Sequence, residues 1–122
     1  MPSIAFALPI KSAEKGKEFM AALTGEKSGD HHSTSAGHGF SRIKVFRQHT
    51  PNEQVVVYLE ADDLEAAIKS RMSSDHGHDK FWADMVTQVT GHAPGTTHAS
   101  GLPSSLLMDW HATKGVSTTH HD

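Results

Sequence analysis

The periodic segments of this chain of 122 residues follow an order that few folds accept. An alternating apolar run, Ser3 to Ile10, precedes a helical stretch. Two strand-like runs joined by a tight turn span Phe40 to Ala61. A longer helical region runs from Leu64 to Thr90, and a last apolar run covers Leu106 to Ala112. The order β-α-β-β-α-β predicts an α+β domain with a four-stranded antiparallel sheet and its helices on one face.

The individual segments support that order. Ile4-Ala5-Phe6-Ala7-Leu8 is apolar on both faces, as in a covered central strand, and Pro9 ends it. Ser12 is an N-cap for a helix that gathers Gly16, Phe19, Met20 and Leu23 on one side and stops near Gly25. Residues 27–39 have no apolar periodicity and read as a long loop, either mobile or a lid. Thr50-Pro51-Asn52-Glu53 suits a type I turn between Phe40–His49 and Val55–Leu59. Centred on Pro51 and Asn52, that turn sets Arg47 opposite Val56, Val45 opposite Tyr58 and Ile43 opposite Glu60. One face then carries Phe46, Val55, Val57 and Leu59 toward the helices. The other carries Ile43, Val45, Arg47, His49, Val56, Tyr58 and Glu60, and a slip of one residue exchanges the faces of a strand.

Asp62 with Glu65 makes an acidic capping pattern before Leu64, Ala67, Ile68 and Met72. Phe81, Trp82, Met85, Val86 and Val89 form a second amphipathic stripe ending at Gly91, so two tandem helices with a break near Gly77 are expected. Residues 92–103 are again irregular. The expectation is one ferredoxin-like domain over residues 1–113 and a disordered tail over 114–122.

Composition narrows the function classes. A net charge of -3 leaves no basic footprint for nucleic acid or an anionic membrane. No apolar stretch is long enough to span a bilayer and no secretory signal is evident, so a cytoplasmic location is expected. The absence of cysteine removes thiolate metal sites and thiol nucleophiles. The eleven histidines fall mostly in Gly/Ser/Thr-rich stretches, where imidazoles are usually solvated.

The apolar third segment points to self-association. With helices on one face only, Ile43, Val45, Val56 and Tyr58 would leave a bare patch of several hundred Å2. A second copy, packed face to face as a homodimer, is the expected cover. The alternative is that residues 27–39 and 92–103 fold over it.

Gly39-Phe40-Ser41-Arg42-Ile43, Thr50-Pro51, Val56 through Asp63, Phe81-Trp82 and Met108-Asp109-Trp110 together resemble the dimeric α/β-barrel superfamily of the antibiotic biosynthesis monooxygenases, across roughly residues 3 to 112. The resemblance implies a homodimeric barrel with a pocket between sheet and helices, and an activity such as cofactor-free oxygenation. Haem-degrading members carry an Asn on the first strand beside a Trp and a His. The first strand here has no Asn, so Trp82 and His92 are not carried over as a haem site.

The candidate chemistry centres on Arg47, His49 and Tyr58. Arg47 can hold an anionic oxygen, His49 can act as base, and Tyr58 can donate to a developing phenolate or enolate. Trp82, Val56, Glu60 and His111 are expected to line the substrate pocket. The plainer alternative for the same residues is an interfacial network in which Arg47 pairs with a carboxylate. His76-Gly77-His78-Asp79 reads as a solvated helix start, and His31, His32 and His38 as adventitious metal binders, so no metal and no cofactor are expected. Two functions follow: a small oxygenase acting on a hydrophobic oxygenated molecule, or a non-catalytic ligand-binding or scaffold dimer.

Overall fold

The computed structural model describes residues 2–91 and 103–121. Its elements are β1 (Ser3–Pro9), α1 (Ala13–Thr24), α2 (Ser28–Gly37), β2 (Phe40–Gln48), β3 (Gln54–Ala61), α3 (Leu64–Met72), α4 (Gly77–Thr90), β4 (Asp109–His111) and β5 (Gly115–Ser117). The first three strands form an antiparallel sheet in the order β1-β3-β2. The α+β class and the central position of an apolar strand stand, although the central strand is β3 rather than β1.

The fourth strand of the expected sheet is not there. The run around Trp110 pairs instead with β5, matching Asp109 to Ser117 and His111 to Gly115. Only a three-residue turn intervenes, and Gly115 takes the left-handed conformation that closes it (φ +81°). Such a short closure loses far less chain entropy than reaching back to β1. A ferredoxin-like four-stranded sheet and a closed barrel are therefore not formed by the described residues of this chain, and residues 115–117, expected in a tail, form a strand.

Helix boundaries follow their capping chemistry. Ser12 accepts from Lys15 N (3.2 Å), and Asp63, one residue beyond the expected cap, accepts from Ala66 N (3.0 Å). α4 starts after His76 and ends at Gly91, where φ is +75°. The left-handed backbone requires glycine there, whereas a Cβ, 2.5 Å from Lys11 Cδ, would displace only a flexible side chain. The backbone N–H groups of Lys11 and Ser12 donate to Val89 O (2.7 and 3.1 Å), tying the start of α1 to the end of α4.

The hairpin register differs by one residue from the sequence expectation. Gln48 pairs with Gln54, leaving five residues in the connection rather than four, so Arg47 meets Val55, Val45 meets Val57 and Ile43 meets Leu59. An odd connection turns β2 over. Ile43, Val45 and Arg47 now share the helix side with Val55, Val57 and Leu59, while Phe46 moves outward beside Val56. A bulge between Phe40 and Arg42 then brings Phe40 back to the helix side opposite Ala61.

Two apolar clusters fill the space between sheet and helices. Ile4, Phe40, Leu59 and Ala61 pack with Leu64, Ala67 and Ile68 of α3. Phe19 of α1 packs with Met85 and Val89 of α4, against Val55. All these sheet residues lie on one face. The other carries Ala5, Ala7, Lys44, Phe46, Val56 and Tyr58, with Phe46 54% exposed.

Candidate functional site

Residues 28–37 form α2 rather than a loop, and its contacts explain why no apolar pattern announced it. His31, Thr34, Ser35 and His38 fall at i, i+3, i+4 and i+7, one helical stripe, and each reaches a polar partner on α3 or α4. The helix is held by hydrogen bonds where most helices are held by apolar side chains.

Arg71 and Asp79 are the centre of that network, with side chains 3% and 2% exposed. Arg71 Nε donates to Asp79 Oδ1 (3.2 Å), and its Nη2 donates to Ser35 Oγ (2.8 Å) and Thr34 Oγ1 (3.3 Å). The guanidinium also stacks near Phe40 and Trp82, at 5.4 and 5.3 Å from the ring centroids. His38 Nε2 lies 2.8 Å from Asp79 Oδ2. An ionised carboxylate only accepts, so Nε2 carries the hydrogen, and in the neutral ring Nδ1 accepts from Ser70 Oγ at 2.7 Å. Burial alone would raise the Asp79 pKa. Hydrogen bonds from Ser74 and His38, with the charge of Arg71, outweigh burial and hold it below the ordinary carboxylate value. Burial pulls Arg71 the other way, lowering it against the support of Asp79.

Beside this network two imidazoles meet. His31 Nδ1 is 3.2 Å from His78 Nε2. His78 is 4% exposed, and its Nδ1 has no hydrogen-bond partner among the described residues. Burial and the Arg71 charge lower the pKa of both rings, that of His31 to about 4, so His31 is neutral at pH 7.

A cavity of about 530 Å3 lies between the sheet and the helices, within the size range of small-molecule sites. Its wall is mostly apolar, drawn from residues such as Phe6, Leu8, Met20, Val57 and Val86. His31, Arg71 and Trp82 border it, as do Lys17 and Arg47, and among the described residues no carboxylate lines it.

The sequence candidates are dispersed. Arg47 lines this cavity, but its Nε donates to Glu53 Oε2 (2.8 Å), and His49, 69% exposed, lies 3.4 Å from the other Glu53 oxygen. Tyr58 and Val56 are on the opposite sheet face, Tyr58 under the Lys44 ammonium at 5.9 Å. Glu60 is on that face too, opposite Arg42. His111 is exposed on β4, its Nδ1 accepting from Thr113 N at 3.1 Å. Of the proposed set only Trp82 and Arg47 border the cavity. His78 and Asp79 are buried at the start of α4, where a solvated terminus was expected, while His76 is exposed. Among the described residues no group of three or more His, Cys, Asp or Glu side chains is placed to hold a metal. His92 lies outside the described residues.

No helix among the described residues is long and apolar enough to cross a membrane. Comparison with protein-family models, with curated proteins and with solved structures returned no match.

Proposed function

We propose that this protein binds an apolar, oxygen-bearing small molecule in the cavity between sheet and helices. The observation that carries this is the composition of the wall: broad apolar surface with a few fixed polar groups, His31 and Arg71 foremost, locked in place by the α2–α3–α4 network.

A cofactor-free oxygenase acting on the same molecule, as the resemblance to the monooxygenase superfamily implies, is the second reading. It is favoured by an arginine cation on the cavity wall beside an imidazole, a pair able to hold an anionic oxygen. We further propose that two copies associate through the outer sheet face, where Phe46, Val56 and Tyr58 lie beside Ala5 and Ala7.

Native mass spectrometry of the purified protein, followed by titration with the uncharged fluorophore N-phenyl-1-naphthylamine, tests the binding function. Extra mass of an organic ligand, or saturable fluorescence enhancement, is expected. Absence of both rejects it.

A further inference from the structure

The polar end of the cavity has a directionality that follows from one buried nitrogen. His31 Nδ1 and His78 Nε2 face each other at 3.2 Å, so one donates and the other accepts. The other nitrogen of His78, Nδ1, is buried and has no partner among the described residues. Were His31 Nδ1 the donor, a neutral His78 would carry its hydrogen on that Nδ1, leaving a buried N–H unsatisfied. Were His78 Nε2 the donor, Nδ1 would be a bare acceptor. Orphaned buried N–H groups are the rarer of the two in proteins. The second arrangement therefore holds, and a neutral His31 then carries its own hydrogen on Nε2, the nitrogen left for a ligand.

Arg71 adds to this. Three of its five N–H groups go to Asp79, Thr34 and Ser35, and among the described residues Nη1 has no hydrogen-bond acceptor. Among the described residues the remaining charged groups on the wall, Lys17 and Arg47, are cations, and no carboxylate lines it. We propose, building on the binding function above, that the ligand is an apolar carboxylate whose head group accepts hydrogen bonds from His31 Nε2 and Arg71. The geometry thus separates acids from the matching alcohols, which accept without a negative charge, and from amines, whose ammonium offers only donors where the site already supplies donors.

Decanoate, decanol and decylamine, titrated at pH 7.5 by displacement of N-phenyl-1-naphthylamine, test this. Decanoate is expected to displace the fluorophore at least tenfold more effectively than either analogue, a discrimination of the size a charge-assisted hydrogen bond supplies, on the order of tenfold or more. His31→Phe, which keeps an aromatic ring but no donor, is expected to lower decanoate affinity about tenfold and decanol affinity by clearly less. Equal displacement by all three overturns the carboxylate assignment while the cavity function stands. A fluorophore that never binds means instead that the cavity function itself has failed. Should His31→Phe not fold, long-range 1H–15N correlation spectra of the unaltered protein read the tautomers directly. His78 protonated on Nε2 is expected, and protonation on Nδ1 overturns the proposal.

Discussion

Arg71 on α3 and Asp79 on α4 form an ion pair, 3.2 Å from Nε to Oδ1, that is almost wholly out of water. Four elements depend on it, because the same two side chains also hold Thr34 and Ser35 of α2 and His38 at its C-cap, and Arg71 stacks near Phe40 of β2. A buried pair of this kind adds little net stability compared with apolar residues of the same shape, but losing one partner strands the other's charge. Its more evident consequence is geometric: it fixes the wall of the cavity.

Asp79→Ala is expected to cost about 3–5 kcal/mol, whereas the double variant Arg71→Met/Asp79→Leu should cost clearly less. Urea unfolding of the three proteins measures both. A single variant no less stable than the double would mean that the Arg71 charge is not stranded.

His49→Ala should change neither thermal stability nor ligand displacement. The side chain is 69% exposed, and its one ion-pair contact, to Glu53 at 3.4 Å, sits on the solvent side of the hairpin connection. Loss of ligand affinity in this variant would return His49 to the site from which the register shift removed it.

Why the α+β class and most of its elements were legible, and the four-stranded sheet and the site were not, comes down in part to which residues were used as cement. β1, the β2–β3 hairpin, α3 and α4 are written in apolar periodicity, with caps at Ser12 and Gly91 where the chemistry requires them. α2 has the same helical period, but in His31, Thr34, Ser35 and His38, residue types that hydropathy reads as loop. Its partners on α3 and α4 were equally invisible as a cluster, because Arg71 and Asp79 meet only after the break at Ser73–His76. The hairpin failed differently. A four-residue turn and a five-residue connection are equally compatible with Thr50-Pro51-Asn52-Glu53, and the difference turned β2 over, leaving Arg47 on the cavity side and Tyr58 on the outer face. A search for polar residues at i, i+3, i+4 and i+7 was the one signal in the sequence that pointed to α2.

The outer sheet face gives a prediction about association. Phe46, exposed by 54%, shares the outer face with Val56, Tyr58, Ala5 and Ala7, and the Lys44 ammonium lies over the Tyr58 ring at 5.9 Å. Sedimentation velocity is expected to show a dimer, and Val56→Asp a monomer with an unchanged circular dichroism spectrum, because the contact then loses the apolar Val56 surface and must desolvate a carboxylate. A monomeric unaltered protein would reject association through this face.

Acid should loosen the α2 contact before it reaches the carboxylates. In the folded protein the His31 pKa is lowered to about 4, by burial first and by Arg71 and His78 next, with Asp79 opposing; His78 is lowered for the same main reasons. Unfolded, both rings take the ordinary value near 6.5. Between these values the unfolded chain binds protons that the native protein does not, so stability rises with pH. The contribution is complete above about pH 6.5 and is lost as pH falls through about 4, amounting to no more than about 3 kcal/mol for His31. Asp79 acts lower. Its folded pKa is depressed below the ordinary carboxylate value, so its share is present above about pH 4 and disappears only beneath that. Urea midpoints should therefore fall between pH 7 and pH 4.5, and His31→Phe should flatten that part of the curve while leaving the steeper loss below pH 4 intact. An unaltered slope in His31→Phe would mean that His31 takes up its proton in the folded protein as readily as in the unfolded chain, and that its ring is solvated rather than held against His78.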